Sequence, residues 1–217
     1  MVPPLPWLTY KCDRTALVVM AMEKPAYFDV RSDFWRHHWE MASDYDSWIR
    51  GSDSGMARRW IDSGARTPKL PDDQLERLRG YNREMSVLMY AAIWCGDCAR
   101  TGAMLREIAE ACGDSVRLRV IDRDASVELR GELRLVGATR VPVVVFLSED
   151  WWEVGRFGDR TLSVYRAKAA REAGRGQPAG VLAPGALTAE IGEWLDVFER
   201  MLLMLRLSPP LRRRHGD

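Results

Sequence analysis

Apolar positions along the chain repeat with three different periods, and the order of those periods predicts the architecture. From Ser32 to Arg50 the side chains Phe34, Trp35, His38, Trp39, Tyr45 and Trp48 recur largely at helical spacing, with Ser32 as the candidate N-cap. A second helix is expected over Met56 to Ser63, and a third from Pro71-Asp72-Asp73 through Leu75, Leu78 and Tyr81. Ser86 to Ile93 is then an almost unbroken apolar run, the pattern of a strand buried on both faces of a sheet. Met104, Leu105, Ile108, Ala109 and Cys112 mark one face of a helix ending near Gly113. Val116, Leu118 and Val120 alternate with Arg117 and Arg119, as in a strand with one more exposed face. A helix carrying Leu129, Leu133 and Val136 follows and stops at Gly137. Val143 to Leu147 is a second buried run, and Trp152 to Phe157 is expected to return as its antiparallel partner after a turn at Ser148-Glu149-Asp150.

The last periodic segment places Ile191, Trp194, Leu195, Phe198, Met201, Leu202 and Leu205 on a wide stripe, with Thr188 as the expected cap and Ser208-Pro209-Pro210 as the stop. Before it, residues 160 to 173 predict a polar helix and 174 to 185 a Gly/Pro-rich loop. Residues 1 to 25 predict at most a short strand at Ala16 to Met20. The pattern therefore predicts an α/β domain over 84–207 with an insertion at about 160–187, an N-terminal helical extension over 1–83 packed on that core, and a basic tail over 208–217.

Composition narrows the class. With 217 residues, 47% hydrophobic and 29% charged, the chain can bury a core without staples, which excludes disorder, collagen and a disulfide scaffold. Its 32 basic and 31 acidic side chains leave a net charge of +1, without the basic face that a nucleic-acid partner requires. Lysine stands at positions 11, 24, 69 and 168, so the remaining 28 basic residues are arginines, a bias that by itself assigns no function. No apolar run approaches the roughly 20 residues that span a bilayer. Met1 to Tyr10 lacks a basic n-region, and Pro3, Pro4 and Pro6 break any helical h-region, so a cytoplasmic location is expected. Thiols stay reduced there, which directs Cys12, Cys95, Cys98 and Cys112 to catalysis, metal binding or burial rather than structural disulfides.

The chemistry is carried by Trp94-Cys95-Gly96-Asp97-Cys98. Cys-x-x-Cys alone also suits half of a zinc site when a second ligand pair exists. Context favours redox chemistry: a cysteine where a buried strand gives way to a helix meets the positive end of the helix dipole, which favours its thiolate. The second cysteine lies one turn inward and can attack a mixed disulfide formed on the first. This is the division of labour that thiol–disulfide exchange needs, with Cys95 as exposed nucleophile and Cys98 as shielded resolving thiol.

At these residues the sequence resembles the thioredoxin family, through Trp94-Cys95-Gly96-Asp97-Cys98 after a strand and Val141-Pro142 before the next buried strand. The resemblance spans about residues 84–160 and resumes at 188–207. It implies a thioredoxin-like mixed central sheet flanked by helices, a cis Pro142 facing the disulfide, and a substrate strand held by the backbone of Val141. Trp94, Gly96, Asp97, Val141 and Pro142 would form the substrate platform. Two departures stand out. Asp97 occupies the place of the proline found in thioredoxins proper and resembles the Cys-Pro-Asp-Cys and Cys-Gly-Asp-Cys variants of related proteins. A carboxylate there stabilises the helix by about 0.3 to 1 kcal/mol but opposes a nearby thiolate, and the sequence does not set the balance. The buried aspartate that thioredoxins carry in the first strand is Met89 here, which suggests Asp97 as a substitute proton carrier.

Other reactive residues have plainer readings. Cys112 on its apolar stripe is expected to be a buried hydrophobe. Thr9-x-x-Cys12 resembles a peroxidatic motif, but Leu5 stands where that motif needs proline. His37 and His38 point about 100° apart on a helix and cannot easily grip one ion. Trp35, Trp39, Trp48 and Trp60 are expected to pin the N-terminal helices to the sheet. Trp151 and Trp152 could form an exposed apolar patch at the hairpin, and Arg206, Arg212, Arg213 and Arg214 a solvated tail.

The expected activity is reduction of protein or small-molecule disulfides by the Cys95–Cys98 dithiol, recharged by an external dithiol reductant, with no cofactor, metal, nucleic-acid or membrane partner. The alternative from another class is a thioredoxin-like adaptor whose helical face docks a partner while the cysteines stay idle or hold metal. A thiol peroxidase using Cys95 is a third, weaker reading.

Overall fold

The computed structural model describes residues 28–174 and 180–216. The strand expected at Ala16 to Met20 and the reading of Cys12 lie outside the described residues. The core is a five-stranded mixed sheet of order β1-β3-β2-β4-β5, built from β1 (Ser43–Asp44), β2 (Met85–Ala91), β3 (Val116–Asp122), β4 (Val143–Ser148) and β5 (Glu153–Gly158). β2 pairs parallel to β3 and antiparallel to β4, and β4 pairs antiparallel to β5. This is the thioredoxin-like α/β arrangement that the resemblance implied.

The unbroken apolar runs are explained by the layers on either side. Every residue of β2 and β4 is buried. Val87, Met89, Val144 and Phe146 face one cluster, together with Trp60, Leu105, Ile108, Trp194 and Phe198. Leu88, Tyr90, Val143, Val145 and Leu147 face the other, with Trp35, Trp39, Leu129 and Leu133. The side-chain period of two thus divides each strand between two cores.

The long aromatic segment at the N-terminal side is not one helix. It forms α1 (Ser32–Met41), then the two-residue β1 against Ser43↔Val120 and Asp44↔Arg119, then α2 (Tyr45–Arg50). Ser32 lies inside α1, whose cap is Arg31 without a side-chain bond, whereas Asp44 caps α2 by accepting from the Ser47 N–H at 2.8 Å. α3 (Ser54–Arg66) is longer than expected because Asp53 accepts from the Gly55 and Met56 N–H groups and starts it earlier. α4 is Asp72–Leu78. Trp35, Trp39 and Trp60 are buried and Trp48 half-buried, so these helices are pinned to the sheet as their tryptophans predict.

α5 (Gly96–Cys112) crosses α3 closely at Gly102, where a Cβ would stand 2.7 Å from Trp60 Cζ3 and 3.1 Å from Tyr45 Cε2. α6 (Val127–Glu132) is shorter than its apolar pattern suggested. Arg156 donates to the Glu132 carbonyl, and the chain turns through Val136 and Gly137 at φ 52° and 73°, leaving Val136 exposed rather than on an apolar helix face. α7 is Leu162–Glu172, and α8 runs Pro184–Leu207. Thr188 therefore sits within α8, its hydroxyl donating back to the Pro184 carbonyl, because Pro184 at the first position starts the helix earlier.

Of two expected surface features, the hairpin tryptophans pack, whereas the basic tail stays exposed but is helical and ion-paired. Trp151 lies 5.8 Å from Trp39, and Arg214 stacks 5.8 Å from Trp152, so the hairpin tryptophans are half-buried and form no open patch. The basic tail forms α9 (Pro209–His215), with Arg214 at 2.9 Å and His215 at 2.9 Å from Asp150. No helix among the described residues is long and apolar enough to cross a membrane.

Candidate active site

The site forms where β2 ends. The Cys95 N–H donates to Ala92 O at 3.0 Å, turning the chain out of the sheet and leaving the carbonyls of Ile93 and Trp94 without strand partners. Consecutive residues of α3 take both. Trp60 Nε1 donates to Ile93 O at 2.8 Å, and Arg59 Nη1 donates to Trp94 O at 2.6 Å. The N-terminal helices thus hold the active-site turn directly, a role that sequence spacing did not reveal.

Cys95 is the N-cap of α5, its sulfur accepting from the Cys98 N–H at 3.3 Å. It is half-exposed, whereas Cys98 is fully buried, and both thiols are free. The Cys98 thiol hydrogen-bonds to the Cys95 sulfur and, with the Cys98 N–H, outweighs burial and the negative charge of Asp97, holding the Cys95 pKa down to about 7. Burial pushes the Cys98 thiol far up, and its bond to Cys95 adds to that shift. One thiol is therefore poised to ionise near neutrality while its neighbour keeps its proton.

All seven residues singled out in the sequence meet here or beside it. Trp94 is 51% exposed at the rim, with the Arg123 guanidinium 5.7 Å from its ring. Gly96 and Asp97 form the first turn of α5. The Val141–Pro142 peptide is cis, and Val141 O lies 3.9 Å from Cys95 Sγ.

What sequence reasoning missed is the setting of Asp97. Its carboxylate is held by Arg100 at 2.9 Å and Arg160 at 2.6 Å. Arg100 in turn pairs at 2.7 Å with Glu190, which is 1% exposed. Arg160 also reaches Asp159, which accepts from the Tyr165 hydroxyl. Asp97 opposes the Cys95 thiolate, but two guanidinium groups offset its charge. Both of its oxygens are engaged by guanidinium groups. Arg100 gave no signal beyond an unexpected charge on a buried helix face, and Arg160 and Glu190 lie too far along the chain for any spacing rule.

The histidines follow their plainer reading, while Cys112, expected to be buried, is half-buried against the core. Burial pushes the Cys112 thiol up to about 12, which keeps it protonated at neutral pH. His38 is buried, with Nδ1 2.8 Å from Phe34 O and Nε2 2.9 Å from Ser126 Oγ, while His37 is exposed. Among the described residues no group of three or more His, Cys, Asp or Glu side chains could hold a metal ion.

A half-exposed cysteine capping a helix after a buried strand, with its buried partner one turn inward and a cis proline alongside, defines a thioredoxin-fold site. The chain belongs to the thioredoxin family: the family model described as thioredoxin matches residues 52–171. No curated protein matches the chain. Among solved structures, a protein of unknown function from Pseudomonas aeruginosa is 20% identical with a TM-score of 0.56, covering 74% of this chain and 94% of that one. An HIV epitope-scaffold is 23% identical with a TM-score of 0.59, covering 76% of this chain and 97% of its own. At such identities these likenesses concern the fold alone.

The site carries a direct pH prediction. Because the Cys95 pKa is lowered to about 7, alkylation by iodoacetamide should rise with pH through a midpoint near 7. An ordinary cysteine thiol titrates at about 8.5. Mass-spectrometric readout at Cys95 that instead shows an ordinary midpoint would remove the case for a stabilised thiolate.

Proposed function

We propose that the protein is a thiol–disulfide oxidoreductase working in the reducing direction through Cys95 and Cys98. The observation that carries this reading is the asymmetry of the pair: a half-exposed Cys95 stabilised as thiolate by the Cys98 N–H and thiol, against a Cys98 that is buried and protonated. The Cys95 thiolate attacks one sulfur of a substrate disulfide, forming a mixed disulfide and expelling the other sulfur as a thiolate. Cys98 then attacks Cys95 Sγ, releasing the second substrate thiolate and closing the Cys95–Cys98 disulfide. Two electrons leave the dithiol, and the Cys98 proton and one from solvent end on the two substrate thiols. An external dithiol reverses the cycle. Trp94 at the rim and the Val141 carbonyl beside the sulfur supply a surface against which the substrate chain lies.

An equilibrium titration in dithiol buffers, with alkylation and mass spectrometry, tests this. The expected result is a Cys95–Cys98 disulfide with a midpoint near or below about −270 mV, the range of a reductase. A midpoint near about −180 mV would reverse the direction to oxidation or isomerisation. Absence of an intramolecular disulfide at every poise would end the enzymatic reading in favour of an adaptor.

A further inference from the structure

The groove that opens at Cys95, of about 690 Å³, is walled on one side by α3 and carries four arginines, Arg58, Arg59, Arg66 and Arg100, against the carboxylates Asp62 and Asp97. The charges are not equally available. Arg58 is spent on Asp62 at 2.9 Å, and Arg100 on Asp97 and Glu190. Arg59 donates to the neutral carbonyl of Trp94, so its charge meets no carboxylate among the described residues. Arg66, exposed at the end of α3, likewise makes no ion pair with them. Two uncompensated guanidinium groups therefore line the groove that opens at the nucleophile, one of them anchored on the residue next to it. A guanidinium matches a carboxylate in shape as well as charge.

We propose that this groove selects disulfides that carry carboxylates next to the scissile sulfurs, a substrate class for the Cys95–Cys98 reaction proposed above, on which this inference rests. An anionic disulfide is ordinarily repelled by an attacking thiolate. Arg59 and Arg66 reverse that penalty by drawing the carboxylates to the rim while Cys95 Sγ reaches the sulfur. The same chemistry is offered by a small dicarboxylate disulfide and by a disulfide flanked by acidic residues in a peptide.

The test uses the reduced full-length protein in single turnover with dithiodipropionate, neutral hydroxyethyl disulfide and cationic cystamine, each rate divided by that probe's rate with dithiothreitol. At low salt the dicarboxylate is expected to exceed the neutral probe by about tenfold, the scale of electrostatic steering into a charged cleft. Cystamine should fall below both, and added salt should shrink the spread. Arg66→Gln should cut the acidic preference several-fold and Arg66→Lys restore much of it, with Arg59→Gln/Arg66→Gln reducing it to near unity. A disulfide peptide with flanking glutamates, compared with its glutamine counterpart, assigns the preference to protein or to small-molecule substrates. Equal normalised rates for the three probes, or a preference untouched by the double variant, would overturn the inference while leaving the redox reading intact. Failure to reduce any probe would instead strike the redox reading itself.

Discussion

Serine at position 95 is expected to abolish disulfide reduction, with turnover falling by about a thousandfold or more, because it removes the nucleophile and neither other cysteine among the described residues can replace it. Cys98 is fully buried and its thiol is pushed far up by burial, so it supplies little thiolate at neutral pH. Cys112 is held as a thiol by the same effect. Cys98→Ser is expected to behave differently. The first attack still proceeds, but nothing resolves the product, so a mixed disulfide on Cys95 should accumulate and be visible by intact-mass measurement. Cys95→Ser retaining a tenth of wild-type turnover would refute the assignment of roles, as would a mixed disulfide trapped on Cys98 instead.

The second large effect concerns stability. Arg100 is 6% exposed and bridges Asp97 to Glu190, which is 1% exposed. Arg100→Met would leave the Glu190 carboxylate buried without its guanidinium, a loss expected to destabilise the fold by about 3 to 5 kcal/mol at neutral pH. Burial already raises the Glu190 pKa, and the Arg100 bond holds that rise back. Without Arg100 the folded-state pKa climbs further, so the unfolded chain loses the Glu190 proton at lower pH than the folded one does. The variant's deficit relative to the wild type should therefore be small at acidic pH, where Glu190 is protonated in both folded proteins, and grow as pH rises past the wild-type Glu190 pKa, which burial already places above the usual carboxylate range. Denaturant unfolding at several pH values measures this. Arg100→Met/Glu190→Leu should recover most of the loss, since a buried pair replaced by apolar groups is often near neutral. A double variant no more stable than the single one would mean that Arg100 supports the fold by packing alone. The single variant also frees one side of Asp97, which should raise the pH needed to ionise Cys95.

Much of the fold was legible because its signals are local. The two-sided burial of β2 and β4 writes itself as the continuous runs at Ser86–Ile93 and Val143–Leu147, and the stripe of α8 repeats every three or four residues. Errors gathered at element ends. Pro184 and Asp53 start helices earlier than the apolar periods do, while β1 is too short to carry any period. The tail at 209–215 read as free charge because its partner, Asp150, lies in a distant turn.

By itself the sequence determined the order of elements from β2 to α8, the position of the cysteine pair at a strand-to-helix junction, and the burial of Cys98 one turn inside. Those follow from backbone periods and from capping, which act over a few residues. Only the tertiary structure decided the charge around that pair. Arg160 and Glu190 reach the Asp97–Arg100 cluster from 63 and 90 residues away, and α3 brings Arg59 and Arg66 to a groove whose floor is made 35 residues later. Coulomb forces depend on distance in space, which a one-dimensional pattern does not encode until the core has folded.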